Sequence, residues 1–295
     1  MPLDIFVPFW GDPALLRETV RSVQAQTSGD WRLTVVDDAY PDPTVPEFFA
    51  TLDDPRVVYV RNEQNLGITD NYRKCVALAS EELVVLLGCD DLLLPTYVET
   101  VLAAHARWPE ATMIQPGVQI VDETGAVVTT LADTVKQRFA MPKGDGPRLL
   151  GGEALAASLL RANWLYWPSL VFRREALRSV EFRDGYPIIQ DLALEIDLIS
   201  RGGTILLEPT VCFSYRRHGA SASSATALDG TRFDGERRYF AEAAVQLSGL
   251  GWRRAARAAR VHLTSRAHAL TLLPGALRTR DGSGARVLVR HAVGS

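Results

Sequence analysis

Four short stretches of this 295-residue sequence combine residue types that can do chemistry. Asp37-Asp38 follows the run Leu33-Thr34-Val35-Val36. Paired carboxylates at the end of a strand suit recognition of a base or of sugar hydroxyls. The same pair also suits a turn, because Tyr40-Pro41-Asp42-Pro43 comes next. Gly88-Cys89-Asp90-Asp91 follows the apolar run Leu83-Val84-Val85-Leu86-Leu87. Two adjacent carboxylates after such a strand are costly to desolvate without compensation. A hard divalent cation bound through oxygen, together with a diphosphate, would compensate them. Helix capping is the plainer alternative, but the next helix starts near Pro95, too far on for Asp91 to cap it.

The third stretch is Ile188-Ile189-Gln190-Asp191-Leu192. Asp191 opens a helix, where the helix dipole favours an acid, and a carboxylate at a strand–helix corner can also serve as a general base. The fourth is Tyr215-Arg216-Arg217-His218-Gly219-Ala220-Ser221. Its basic cluster suits a diphosphate, or equally a solvated charged turn. The sequence contains no GxxxxGK[ST] loop, GxGxxG fingerprint, HExxH or GxSxG elbow.

The elements that must position these residues alternate in type. Strand patterns run over Leu3–Pro8, Trp31–Val36, Arg56–Val60 and Glu82–Leu87. Helical patterns run over Pro13–Gln26, Thr44–Leu52 and Asn71–Ala79, the first with Asp12 as N-cap and Pro13 in its first turn. Strands alternating with helices predict an α/β fold with a mainly parallel sheet. Ligands of such sheets bind beyond the carboxyl ends of the strands, which is where the carboxylate pairs fall. Beyond Pro95 the pattern predicts a helix to Arg107 and a hairpin of Thr112–Val121 with Ala126–Leu131. Asp133–Arg148 reads as a mobile loop, either a lid or a surface excursion. Helices over Glu153–Arg161 and Asp191–Ser200 follow, with strands over Leu165–Phe172, Thr204–Glu208 and Val211–Tyr215. Residues 221–235 read as a flexible connection, and Glu236–Leu273 as a helix broken at Gly249-Leu250-Gly251.

Composition bounds the remaining possibilities. The chain is 47% hydrophobic and 23% charged, an ordinary globular composition. Its net charge of −3 gives no global pull toward nucleic acid, but it hides an uneven distribution. From Gly251 to Ser295 there are nine arginines, no lysine and the single acid Asp281, a net of +8, which leaves −11 on the first 250 residues. No low-complexity tract or fixed-period repeat is present. The three cysteines, Cys75, Cys89 and Cys212, fit neither a disulfide framework nor a CxxC knuckle. The apolar run Leu83–Leu94, broken by Asp90 and Asp91, is too short to span a bilayer. Met1-Pro2-Leu3-Asp4 lacks the features of a signal peptide. A cytoplasmic, reducing location is the default expectation.

Read together, these pieces resemble the family 2 inverting glycosyltransferases of the GT-A fold, over roughly residues 1–220. Val7-Pro8-Phe9-Trp10 resembles the family's opening strand and nucleotide loop. Ser22-Val23-Gln24-Ala25-Gln26-Thr27 looks like its S-x-x-x-Q-T helix end, and Val35-Val36-Asp37-Asp38 its nucleotide-binding strand. Asn62-Glu63-Gln64-Asn65-Leu66-Gly67 is similar to its N-x-G segment. Cys89-Asp90-Asp91 with Leu94-Pro95 resembles its DXD-type metal site, Gln190-Asp191 its ED motif, and Tyr215-Arg216-Arg217-His218 the basic segment that closes the domain. The chain departs from the pattern at Gly88 in place of an acid, Gln190 in place of Glu, and Ala39-Tyr40 in place of a Ser/Gly turn.

The resemblance implies a GT-A catalytic domain over residues 1–220 and a basic helical extension over 236–295. It implies a nucleoside-diphosphate sugar donor, with UDP the expected nucleotide, and a glycan or lipid-linked acceptor. Pro8, Phe9, Asp38, Asn65, Asp90 and Arg217 would bind the nucleotide sugar. Asp91 and His218 would ligate Mn²⁺ or Mg²⁺, and Asp191 would be the general base. A catalytically inactive nucleotide-sugar-binding module of the same fold is the alternative. A membrane-embedded processive synthase is disfavoured, because neither flanking membrane helices nor a QxxRW motif is present. In the basic extension, Trp252, Ala256, Ala259, Leu263 and Leu270 are expected on one helical face and Arg253, Arg254, Arg257 and Arg260 on the other. Such a helix can lie on an anionic membrane, or it can pack on its own acidic body.

Overall fold

The computed structural model describes residues 2–144, 146–186, 188–218, 231–278 and 282–293. Strands β1 (Leu3–Phe9), β2 (Trp31–Asp37), β3 (Val57–Arg61) and β4 (Leu83–Leu86) form a parallel half-sheet in the order β3-β2-β1-β4. Successive side chains along a strand point to opposite faces, and here both faces are covered. Ile5, Val7, Phe9, Val35 and Val85 enter one core. Phe6, Val36, Val84 and Leu86 enter the other. This double burial explains why these strands read as near-continuous apolar runs rather than as alternating ones.

The connecting helices α1 (Pro13–Gln24), α2 (Thr44–Ala50) and α3 (Ile68–Leu78) fall where the sequence places helices. The Asp12 side chain accepts the Ala14 N–H at 2.7 Å and caps α1, which buries Leu16, Val20 and Val23. α3 begins at Ile68, one turn before the expected Asn71, because Gly67 at φ 84° turns the chain into it.

The second half of the sheet is mixed. β5 (Leu92–Leu93), β6 (Met113–Val121), β7 (Arg148–Gly151), β8 (Val171–Arg173) and β9 (Thr204–Arg216) extend it in the order β4-β8-β6-β9-β5, with β7 also on β9. β8 runs antiparallel to both β4 and β6, whereas β9 runs parallel to β6. The pairing of β5 with β9 sets Leu92 opposite Ser214 and Leu93 opposite Phe213. It thereby lays the end of β9 alongside the Asp90-Asp91 turn. Helices α4 (Tyr97–Arg107), α6 (Gly152–Arg161) and α8 (Gln190–Ser200) match expectation to within two residues at each end.

Several expected elements differ. The hairpin partner after β6 reduces to a single bridge between Val121 and Val127. The expected loop after Asp133 instead carries α5 (Leu131–Val135) and a π-helical turn over Lys136–Ala140. The strand expected over Leu165–Phe172 is a 3-10 turn at Trp167–Ser169 followed by β8, since Pro168 supplies no N–H for a ladder. A short helix, α7 (Arg174–Arg178), follows β8. The two strands expected over 204–215 are one strand, whose register against β6 shifts around Gly117.

The expected connection at 221–235 falls largely outside the described residues, and description resumes with α9 (Thr231–Gly249). The long basic helix is divided again at His262, where φ is 29°, giving α10 (Arg253–Val261) and α11 (Leu263–Arg278). A further helix, α12 (Gly282–Val293), follows within the expected helical extension, beyond the Glu236–Leu273 pattern. α10 packs on the body through Ala255, Ala256, Ala258 and Ala259, which share a core with Leu155 and Leu159 of α6. The break at His262 corrects the expected face, because Leu263 and Leu270 are exposed instead of joining the buried alanines.

The register shift at Gly117 carries its own consequence. A Cβ there would lie 2.6 Å from the Pro209 carbonyl oxygen and 2.8 Å from Thr210 backbone atoms. Gly117→Ala is expected to destabilise the fold by about 1–3 kcal/mol through forced backbone displacement. Urea unfolding checks this, and an unchanged midpoint would contradict the close approach.

Candidate active site

The Asp90-Asp91 turn leaves the carboxyl end of β4 and is held by β9. Arg216 donates its backbone N–H to Asp91 Oδ1 at 2.8 Å and its Nε to the Asp90 carbonyl at 2.7 Å. Its remaining nitrogens reach the Glu123 carbonyl at 2.8 Å and Glu18 Oε2 at 2.5 Å. This guanidinium is fully buried. The Thr19 hydroxyl of α1 donates to the Asp91 carbonyl at 2.8 Å. Asp91 is itself buried, and desolvation, followed by repulsion from Asp90, pushes its carboxyl well above the ordinary range. Gly88 is required by this turn, since a Cβ there would meet Asp91 Oδ2 at 2.5 Å. Its replacement of a family acid therefore makes room for the Asp91 carboxylate. His218 Nε2 lies 2.6 Å from Asp90 Oδ2, so His218, expected on the metal, meets Asp90, expected on the nucleotide sugar, beside the buried Asp91.

The nucleotide-side residues fare differently. Asp38 is buried, and both its oxygens are engaged. Asn62 Nδ2 and the Leu66 N–H donate to Oδ1 at 2.7 and 2.8 Å, and the Gly67 N–H donates to Oδ2 at 2.9 Å. Asp38, expected to bind the nucleotide sugar, anchors the 62–67 loop in this structure. Asn62 in turn accepts from Lys74 Nζ at 2.6 Å and bonds Asn71 at 3.2 Å. Asp37 is likewise occupied, by Arg61 at 2.8 Å, the Tyr40 N–H at 2.7 Å and the Tyr59 hydroxyl. The Phe9 ring, expected at the nucleotide, is wholly buried, because its position in the strand points it into the core. Pro8 is half-buried and Asn65 is exposed on the anchored loop. The residue missed here is Trp10. It is 52% exposed just past β1, with its ring edge-on to Tyr40 at 5.2 Å.

Arg217 is paired rather than free. Its Nη2 and Nε donate to the two oxygens of the buried Asp133 at 2.8 and 3.2 Å, and it lies over the Tyr215 ring. Burial works against the Arg217 cation, but the Asp133 bonds outweigh it and raise its pKa. Asp133 also accepts from the Thr130 and Tyr166 hydroxyls, at 2.5 and 3.1 Å. Lys136, one turn further on, sits 3.9 Å over the Tyr166 ring and donates to the Leu165 carbonyl. Burial, then the neighbouring Arg217 charge, brings its amine down to about 8. Among the charges acting on that amine, Asp133, Asp191 and Glu195 are of opposite sign.

Asp191 occupies the first turn of α8, half-exposed, and accepts the Leu192 N–H at 2.7 Å. Its neighbour Gln190 is buried and accepts from the Thr69 hydroxyl at 3.1 Å, tying α8 to α3. One turn below Asp191 lies Glu195, fully buried, with neither carboxyl oxygen hydrogen-bonded. Burial, then the Asp191 charge, pushes its carboxyl well above the ordinary range. Its sequence signal was a lone acid inside the apolar run Leu192-Ala193-Leu194-Glu195-Ile196.

The donor set fits a hard divalent cation only in part. Asp90, Asp91 and His218 offer two carboxylates and an imidazole, and a cation would compensate the buried Asp91 charge. Among the described residues no group of three or more His, Cys, Asp or Glu side chains is preformed to hold a metal. A cation bound here would draw on the ligand's own oxygens, as Mg²⁺ sites built on one or two carboxylates and substrate phosphates do. Among the described residues, no helix is long and apolar enough to cross a membrane.

Comparison with known proteins places this geometry among relatives. Residues 4–154 match the model of the family described as Glycosyl transferase family 2. The uncharacterized protein MT1568 of Mycobacterium tuberculosis (strain CDC 1551 / Oshkosh) is 28% identical over 245 residues, covering 78% of this chain and 71% of that protein. The putative colanic acid biosynthesis glycosyl transferase WcaA of Escherichia coli (strain K12) is 26% identical over 102 residues, 34% of this chain and 37% of that one. Among solved structures, S. aureus TarS 1-349 in complex with UDP-GlcNAc superposes with a TM-score of 0.65 at 13% identity, covering 100% of this chain and 93% of that one. In a longer TarS structure the chain spans 39% of the length. The likeness to TarS shows a shared fold.

The unpartnered Glu195 generates a pH dependence. A carboxyl whose folded pKa is raised contributes stability that is full below its unfolded value, near 4.5, and is lost as pH rises toward the folded value. Glu195→Met, which removes the titrating group at similar volume, is therefore expected to gain on the wild type as pH rises above 4.5. The limiting slope is about 1.4 kcal/mol per pH unit. Paired urea titrations across pH measure it, and parallel curves would show that Glu195 is compensated.

Proposed function

The chain belongs to glycosyl transferase family 2, and from that premise we propose that it moves a sugar from a nucleoside-diphosphate donor to an acceptor hydroxyl with inversion at the anomeric carbon. The observation that supports this reading is the 2.6 Å contact of His218 with Asp90, next to the buried Asp91, at the turn that leaves β4.

The chemistry divides between two sides. In this reading Asp90, Asp91 and His218 would hold Mn²⁺ or Mg²⁺, which when bound offsets the charge that develops on the departing diphosphate. Arg217, still 39% exposed while paired with Asp133, would present its guanidinium edge to the same phosphates. Trp10 and Tyr40 offer an aromatic edge for the base at the carboxyl ends of β1 and β2. Asp38 acts indirectly, by fixing the loop that carries Asn65. Opposite the leaving group, Asp191 would take the proton of the acceptor hydroxyl as its oxygen bonds to the anomeric carbon. The bond from that carbon to the diphosphate breaks in the same displacement, which inverts the configuration. The half-exposed Asp191 carboxylate suits a base that must meet an incoming acceptor.

The TarS complex with UDP-GlcNAc supports a UDP-sugar as the donor class. The colanic acid transferase among the relatives supports a polysaccharide or envelope-precursor acceptor.

Asp191→Asn keeps the shape and removes the basicity. It is expected to lower turnover by about 10²–10⁴-fold, with donor affinity by calorimetry unchanged within a few-fold. Near-normal turnover would reject Asp191 as the base. Donor binding without release of nucleoside diphosphate in any acceptor screen, by the wild type, would indicate a binding module instead.

Cation dependence is tested separately. Chelation with EDTA is expected to abolish both turnover and the thermal stabilisation conferred by UDP-sugars, and Mn²⁺ or Mg²⁺ to restore both. Full stabilisation and turnover in EDTA would remove the cation from the proposal.

A further inference from the structure

The C-terminal helices spend their buried face on the body and leave a second face exposed. On α10, Arg253, Arg254, Arg257 and Arg260 all face solvent, and Arg286 and Arg290 do so on α12. None of the six forms an ion pair among the described residues. At the corner between α10 and α11 the exposed apolar residues follow directly, with Val261 at 46% and Leu263 at 64%. They continue along α11 at helical spacing, through Ala267 to Leu270 at 52%. On α12, Val289 and Val293 alternate with Arg286 and Arg290 in the same way. The surface is thus apolar stripes set beside unpaired arginines, and no acid occurs from Gly251 to Ser295 except Asp281.

We propose that this surface docks on an anionic lipid bilayer, with the arginines among the headgroups and Val261, Leu263 and Leu270 at the headgroup–acyl boundary. Charge selects the occupant. A second copy of the chain would bring two faces of like charge together, which disfavours a self-interface. A nucleic acid would satisfy the arginines but would meet exposed Leu263 and Leu270 with phosphate. An anionic bilayer satisfies both chemistries at once. The geometry differs from a single amphipathic helix, because the alanine face of α10 is already used against α6. Only the residues around the His262 corner and along α11 and α12 are left for lipid.

The test uses the full chain and vesicles, with no turnover in the readout, so it stands or falls apart from the glycosyl-transfer reading. Co-sedimentation is expected with phosphatidylcholine vesicles containing phosphatidylglycerol and not with phosphatidylcholine alone, and it is expected to weaken as salt rises. Arg257→Gln with Arg260→Gln is expected to weaken binding about fivefold per arginine removed. Leu263→Glu with Leu270→Glu is expected to abolish it. Both pairs are exposed, so thermal unfolding should match the wild type, which confirms that a loss of binding is not a loss of fold. No binding to anionic vesicles at low salt would overturn the proposal. So would equal binding to neutral vesicles, or binding unaffected by either double substitution. A concentration-dependent dimer in sedimentation that Leu263→Glu disperses would assign the surface to a second copy instead.

Discussion

One buried guanidinium organises the site. Arg216 has no exposed side-chain surface, and its bonds reach three separate parts of the chain besides its own strand. It binds the Asp90 carbonyl of the β4 turn, the Glu123 carbonyl beyond β6 and the Glu18 carboxylate of α1, while its own N–H holds Asp91. A buried cation is tolerable only when its donors are satisfied and an opposite charge is near. The need to satisfy Arg216 therefore draws these four segments to one point. Gly88 is part of the same constraint, since the turn closes so tightly that a Cβ would strike Asp91. Asp91 ends up desolvated beside Asp90, a poor place for a carboxylate alone and a suitable one once a cation and phosphates arrive.

The parallel half-sheet was legible because its signal is simple. β1, β2 and β4 are buried on both faces, and the runs of β2 and β4 lead into the carboxylate pairs where a βαβ fold places its ligand edge. The order of motifs set His218 near the Asp90-Asp91 turn, and in the structure it meets Asp90, 128 positions away. The direction of individual side chains was harder to read. Phe9 belongs to the opening motif, yet the period of the strand turns it into the core while Trp10 emerges. Arg216 and Arg217 are adjacent and chemically identical, but alternation along β9 sends one inward to the turn and the other toward Asp133. Whether Asp38 faces a ligand or its own loop depends on where the backbone N–H groups of Leu66 and Gly67 come to rest. No spacing along the chain encodes that.

The segment over Leu131–Ala140 was illegible for another reason. Its helical and π-helical turns are held from outside, by Asp133 on Arg217, by Gln137 on the Val118 carbonyl and Tyr166, and by Lys136 on the Leu165 carbonyl. Local propensity is weak there and tertiary bonds decide. The consequence bears on the site: a polar stretch that reads as a loop brings Asp133 onto Arg217 and Lys136 over the Tyr166 ring.

The uneven charge of the chain follows from how its parts are buried. The acidic excess of the body includes Asp38, Asp91 and Asp133, all buried, which accept from backbone N–H groups and from Arg217. α10 buries alanines against α6 and leaves Arg253, Arg254, Arg257 and Arg260 exposed, with no ion pair to them among the described residues. The positive charge of these helices is left facing outward, where a partner of opposite charge can meet it.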